Sequence, residues 1–80
     1  MDSQDITSLS RLKKGEKAYV VDLGLKGLMR RRVLDLGIVP GTILQCVAMA
    51  PSGDPVAYLV RGTVIAIRNE DANFIQVRAT

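Results

Sequence analysis

The stretch R-R-R-V-L-D-L-G-I-V-P-G, from Arg30 to Gly41, decides the fold because it shows where a basic helix stops and a strand begins. Gly37 supplies a residue that can adopt positive φ at a helix C-terminus. Pro40 cannot continue a helix, and Gly41 allows the chain to turn into the apolar run that begins at Thr42. The stretch therefore predicts one basic helix packed beside a sheet.

Outward from this stretch, apolar runs bounded by turn residues predict five strands, at residues 16–23, 42–50, 56–60, 63–68 and 74–78. The helix covers about residues 25–36, after the first strand. Shorter turns are expected after Thr7 or Ser8, at Arg61 and Gly62, and over residues 69–73. The pattern favours a mainly β fold, a small barrel closed on itself so that no sheet edge is left open.

The helix is expected to bury one apolar stripe and to expose most of its cations. The stripe at helical spacing consists of Leu25, Leu28, Met29, Val33 and Leu36. Lys26, Arg30 and Arg31 fall away from it, whereas Arg32 falls within it. Two interpretations stay open: solvated cations that complement the helix dipole, and a patch that meets an acidic surface on a partner.

Length and composition indicate one domain over residues 1–80 with a small core. At this size little more than about 60% of the chain's surface can be buried. The apolar content is 48%, with one Phe and two Tyr, which predicts an aliphatic core. No run approaches the roughly 20 apolar residues of a membrane span, and the N-terminus M-D-S-Q-D-I-T lacks a signal pattern. We therefore expect a cytoplasmic protein without direct membrane insertion.

The residue types exclude several classes of chemistry. There is no histidine, and Cys46 is the single cysteine, so the usual transition-metal ligands and the commonest catalytic base are missing. The acidic residues stand in separate segments, and no phosphate-binding glycine motif occurs. A net charge of +3 is modest for a nucleic-acid-binding domain. We expect no catalytic residue, no metal site, no cofactor and no nucleic acid, and Cys46 is interpreted as a small buried hydrophobe.

Several motifs follow one another in a characteristic order. They are L-S-R-L-K-K-G at residues 9–15, L-G-I-V-P-G at 36–41, A-P-S-G-D-P at 50–55, V-R-G-T-V-I-A-I-R at 60–68 and I-Q-V at 75–77. With these motifs, the chain resembles the ferrous iron transport protein A family (FeoA) over nearly its whole length. The resemblance implies an SH3-like β-barrel of about five strands with one helix inserted after the first strand.

The resemblance also implies a function. It suggests a cytoplasmic accessory or regulatory protein that docks on the G-protein domain of a membrane ferrous iron transporter, and thus lies at the inner face of the membrane through its partner. The alternative is an SH3-like regulatory domain related to the C-terminal domain of iron-dependent transcriptional repressors. The chain lacks a helix-turn-helix, so it would then be a fragment; Met1 and its short polar lead favour a complete chain. A weak homo-oligomer stays open.

Two segments are candidates for contact with the partner. The helix offers cations, and the loop with two prolines offers a rigid surface that loses little entropy on binding. The candidate partner-binding residues are Lys26, Arg30, Arg31, Arg32, Pro51, Gly53, Asp54 and Pro55. The residues assigned a structural role, in turns and at the helix end, are Gly37, Pro40, Gly41 and Gly62.

We predict that the isolated protein binds ferrous ion or zinc only weakly, because it has no histidine and one cysteine within a predicted strand. Anaerobic calorimetry measures this directly. A stoichiometric site tighter than about 1 μM, which corresponds to about 8 kcal/mol of binding free energy, would contradict the prediction and favour an iron carrier.

Overall fold

The computed structural model describes residues 5–80; the lead M-D-S-Q, part of the segment read above as lacking a signal pattern, lies outside the described residues. Six strands are formed: β1 (Ile6–Ser8), β2 (Lys17–Leu23), β3 (Ile43–Met49), β4 (Val56–Val60), β5 (Thr63–Ile67) and β6 (Ile75–Ala79). A short 3₁₀ turn covers Leu9–Arg11, α1 covers Gly27–Asp35, and α2 is a single turn at Asn69–Ala72. The prediction of a mainly β fold with one main helix is confirmed.

The strands form one antiparallel sheet in the order β1-β6-β2-β3-β4-β5. The sequence missed β1, because a three-residue strand is too short for apolar alternation to reveal it. The prediction of a barrel closed on itself is wrong, since within residues 5–80 the sheet ends at β1 and at β5. The short β1 bonds to β6, and among the described residues no further strand joins it to β5.

A β-bulge explains why β2 buries residues of both parities. Ala18 and Val20 face the core, as simple alternation predicts. The register then shifts between Val20 and Asp22, so that two residues of β2 oppose one residue of β6. Leu23 consequently returns to the core side, where it pairs with Ile75. The double-sided apolar pattern of this strand therefore reflects a bulge.

The helix is shorter than predicted, and its buried face is narrower. It begins at Gly27, whose φ of +63° prevents the helix from extending back to Leu25. Leu25 is buried in the preceding loop, Val33 is buried, and Met29 packs partly against the core. The assignment of Leu28 and Leu36 to the stripe is wrong: they are 87% and 40% exposed. Leu28 lies on the exposed side of the helix, and Leu36 lies just past its last residue.

The core contains two ionisable groups that are held in their neutral form. Tyr58 is fully buried, and burial raises the pKa of its phenol to about 12, with a smaller contribution from the neighbouring Cys46. The Tyr58 hydroxyl donates to the carbonyl of Leu9 at 3.4 Å. Burial also raises the pKa of the Cys46 thiol, and the nearby Glu16 carboxylate adds to the shift. The interpretation of Cys46 as a buried hydrophobe is confirmed by its 0% exposure.

The connection from α1 to β3 is fastened by one threonine. The hydroxyl of Thr42 donates to the carbonyl of Gly37 at 3.1 Å and accepts from the amide of Val39 at 3.1 Å. The amide of Gly41 donates to the carbonyl of Val20 at 2.7 Å, and the amide of Val20 donates to the carbonyl of Thr42 at 2.9 Å. The turn is thereby bonded to the middle of β2, which sets where β3 begins.

Glycines adopt the left-handed conformation at the predicted helix end and turns. Gly37 has φ of +87° and follows α1, and Gly41 has φ of +95° in the connection to β3. Gly62 has φ of +83° and follows Arg61, which also has positive φ, at +52°. Two consecutive residues of this kind make the tight turn between β4 and β5. Pro40 is exposed in the same connection as Gly41.

We predict that Gly37→Val destabilises the domain by more than about 2 kcal/mol, because a β-branched residue is strained at positive φ. Gly37→Asn should cost about 1 kcal/mol or less, since asparagine tolerates this region. Thermal unfolding followed by circular dichroism measures both. Equal melting temperatures for the two variants would contradict the conformational explanation.

Candidate functional site

The helical cations do not form one continuous patch. Successive residues of an α-helix point about 100° apart, so three consecutive arginines face three directions. Lys26 lies in extended backbone just before the helix and is exposed. All three arginines are exposed, but Arg30 bonds to the carbonyl of Leu23 and Arg32 lines a groove beside β5. The contact of these cations with a partner stays a prediction.

Arg30 has a structural contact that the sequence did not indicate. Its Nη1 donates to the carbonyl of Leu23, the last residue of β2, at 3.1 Å. The bond ties α1 to the strand that precedes it. The guanidinium is therefore partly occupied, and Arg30 and Arg31 are not equivalent.

A groove of about 210 Å³ lies between α1 and β5. Its walls are mainly apolar and come from α1 and the residue after it, from the loop before β4 and from β5: Met29, Val33, Leu36, Pro55, Ile65, Ala66 and Ile67. Two guanidinium groups and one carboxylate also line it, from Arg32, Arg68 and Asp71. The groove thus combines apolar walls with a net excess of one positive charge.

This groove brings together two of the predicted contact residues from separate segments. Arg32 comes from the helix, and Pro55 comes from the loop that precedes β4. The predicted contact residues did not include Arg68. Its position directly after the apolar run of β5 could have indicated a charged side chain at the end of that strand. The sequence also missed the role of α2, whose Asp71 lines the same groove.

The loop at residues 50–55 is held rigidly, as its two prolines suggested. The amide of Gly53 donates to the carbonyl of Ala50 at 2.7 Å, and the peptide bond between Asp54 and Pro55 is cis. The carboxylate of Asp54 accepts from the amide of Asn69 at 2.9 Å, and the side-chain amide of Asn69 donates to the carbonyl of Gly53 at 2.9 Å. Asp54 therefore caps α2, while Pro51 is exposed at the tip of the loop.

Arg61 is a further cation outside the predicted set. Its side chain lies over the end of α1, where a methyl group added at Gly37 would be 3.8 Å from Cδ of Arg61. A cation beside the last carbonyls of a helix is favoured by the helix dipole. Arg61 thus connects the β4–β5 turn to the helix terminus.

Two properties of the described chain bear on metal binding and on insertion into a membrane. Over residues 5–80, no three His, Cys, Asp or Glu side chains are grouped so that they could hold a metal ion. In the same range, no helix is long and apolar enough to cross a bilayer.

The comparisons with known proteins point to one family. The FeoA domain model matches residues 7–79. A curated relative from Porphyromonas gingivalis, an Fe(2+) transport protein A/Fe(2+) transporter FeoB fusion protein, is 38% identical over 69 residues. The aligned part is 86% of this chain and 8% of the relative, so the chain spans a small fraction of that protein.

Solved structures agree with this assignment. The solution structure of the FeoA protein from Chlorobium tepidum superposes with a TM-score of 0.87 at 36% identity, covering 91% of this chain and 70% of that one. The zinc complex of Stenotrophomonas maltophilia FeoA, a prokaryotic SH3 domain protein, gives 0.77 at 31% identity, covering 89% and 88%. The SH3-like fold inferred from the sequence is confirmed.

The same fold occurs in a manganese-dependent transcriptional repressor. Its TM-score is 0.84 at 17% identity, and the match covers 94% of this chain and 37% of the repressor. At this identity the similarity concerns the fold alone.

We predict that Arg30→Ser and Arg31→Ser differ in their effect on stability. Arg30→Ser should cost about 1 kcal/mol, because it removes the bond to the carbonyl of Leu23. Arg31→Ser should stay within about 0.5 kcal/mol, as expected for an exposed side chain. Urea unfolding of the two variants measures the difference. Equal unfolding midpoints would show that the Arg30 contact contributes nothing to stability.

Proposed function

Because this chain belongs to the FeoA domain family, which is involved in ferrous iron transport, we propose that it is a cytoplasmic accessory protein that docks on the cytoplasmic part of a ferrous iron transporter. The observation that carries the proposal is the fusion of a FeoA segment and a FeoB transporter in one relative. Covalent linkage keeps two partners at high local concentration, which is useful when their association is functional.

The surface supports a binding role. A partner can reach two exposed cations, Lys26 just before α1 and Arg31 on it. It can also reach Arg32 and Pro55, which line the groove. Positive groups at such a surface act mainly on the association rate and on the orientation of the partner. The proposed partner surface is therefore acidic, and the proposed site is the cytoplasmic G-protein domain of the transporter.

Docking can regulate transport only through unequal affinity for different transporter states. A protein without catalytic groups then shifts the transporter towards the state that it binds more tightly. We propose that the nucleotide state of the G-protein domain is the property that this chain distinguishes. In this role the chain acts as a binding protein and performs no reaction of its own.

The first experiment measures binding between the chain and the purified full-length transporter. We expect a complex that weakens as salt is raised, with affinities that differ between the GDP-bound and GTP-analogue-bound transporter. Arg31→Glu should weaken the complex at least ten-fold. Lys14→Glu is the matched control, because it makes the same charge change at an exposed residue in the loop before β2, away from α1.

The corresponding cellular measurement is uptake of radiolabelled ferrous iron at equal protein abundance. Uptake should fall with Arg31→Glu and stay near the wild-type level with Lys14→Glu. Absence of any complex with the wild-type chain would overturn the proposed function. If the complex forms equally well with both variants, the contact surface instead lies away from the outer face of α1.

A further inference from the structure

The open edge of β5 is the starting point. In the described part of the chain, β5 is the last strand of the sheet and pairs with β4. The two strands are joined by a two-residue turn in which Arg61 and Gly62 both have positive φ. In a hairpin of this kind, the residues that flank the turn, Val60 and Thr63, form a hydrogen-bonded pair.

The pairing then alternates along the hairpin. Ile65 and Ile67 form hydrogen-bonded pairs with β4, whereas Val64 and Ala66 occupy the non-bonded positions between them. The amide and carbonyl groups of Val64 and Ala66 therefore point away from β4, towards the open side of the sheet. An exposed row of such groups is a template for another strand.

The groove runs along this edge. Consecutive residues of a strand point to opposite faces, so a cavity lined by Ile65, Ala66 and Ile67 together must pass beside the strand and its backbone. Its opposite wall is α1, through Met29 and Leu36. A strand edge facing a helix across an apolar cleft is the arrangement in which a protein adds an extended peptide to its sheet.

The charges in the groove select the kind of peptide. Arg32 on α1 and Arg68 at the end of β5 line it, and Asp71 is the opposing carboxylate. Guanidinium groups pair well with carboxylates, and apolar walls strengthen the interaction by reducing its contact with water. The exposed Val64, at 61%, and Leu36, at 40%, offer apolar contact beside the free backbone groups.

We propose that the groove between α1 and β5 binds an extended segment of a partner protein, with alternating apolar and acidic side chains, as an added strand on β5. The inference rests on the proposed function for the partner's identity, since the segment would belong to the ferrous iron transporter. The backbone bonds to Val64 and Ala66 supply affinity, and the two arginines select acidic side chains. This assigns a mode of recognition to the groove.

The probe is an acetylated, amidated pentapeptide of alternating glutamate and valine. Five extended residues span about 17 Å, which matches a strand of five residues such as β5. We expect saturable binding in an NMR titration, with the largest amide shifts at Val64 and Ala66. The same peptide with lysine in place of glutamate, and one N-methylated at alternate residues, should each bind at least ten-fold more weakly.

Two pairs of variants test separately how the backbone amides and the arginine charge contribute to peptide binding. Ala66→Pro removes an outward amide and leaves the bonds to β4 in place, because proline is tolerated where an edge amide faces solvent. Ala66→Ser keeps that amide and is the control. Arg68→Glu should reverse the preference between the glutamate and lysine peptides. Ile43→Ser is its control, because it changes an exposed apolar residue of β3 that lies outside the groove. Conserved amide spectra for β4 establish that each variant is folded.

The same variants, tested against the full-length transporter, distinguish the two proposals. If the wild-type chain binds and Ala66→Pro binds at least ten-fold more weakly than Ala66→Ser, strand addition is supported. If Ala66→Pro binds as well as wild type, strand addition is overturned and the proposed function stands. If wild type does not bind the transporter, the proposed function fails. The peptide titration alone then decides whether the groove binds an extended acidic peptide. A dimer that Ala66→Pro dissociates would assign the edge to a second copy of this chain and overturn the inference.

Discussion

The hydrogen bonds of Thr42 are the constraint on which the rest of the structure depends. Its buried hydroxyl accepts from Val39 and donates to Gly37, so it closes the segment that links α1 to β3. The same segment bonds to Val20 in the middle of β2. A few short hydrogen bonds around one side chain thus fix the positions of the helix end, the turn and the two strands relative to one another. A buried polar group that lost its partner there would lower the stability of the fold.

The open sheet follows from the length of its first strand. β1 contributes three residues and pairs with β6, which leaves β5 paired on one side in the described chain. Edge strands usually carry charges that discourage uncontrolled pairing, and Arg61 and Arg68 flank β5 at its two ends. The open edge of β5 therefore lies between two positively charged side chains.

The core and the surface of this chain differ in the chemical groups that they offer. The ionisable groups in the core, Tyr58 and Cys46, are kept neutral by burial. The remaining chemistry lies at the surface, in arginines and in free backbone groups. Asp54, a predicted contact residue, accepts a hydrogen bond from the first amide of α2. The next residue, Pro55, lines the groove. The groups through which this chain is proposed to recognise a partner therefore all lie at its surface.

Local sequence determined the elements. Gly37 and Gly41, with their positive φ, marked the end of α1 and the start of β3, and the bounds of β4 at Val56–Val60 followed from its apolar run. These features depend on the conformational preferences of a few neighbouring residues, which a sequence displays directly. The resemblance to a family extended this to the SH3-like fold.

Tertiary structure decided everything that depends on distant pairing. The bulge that returns Leu23 to the core and the bond from Arg30 to β2 each require contacts between separate elements. The sequence likewise does not show that Arg32 and Pro55, which stand in separate segments, line the same groove. Apolar periodicity specifies which residues avoid water, but only packing and strand register specify which residues become neighbours.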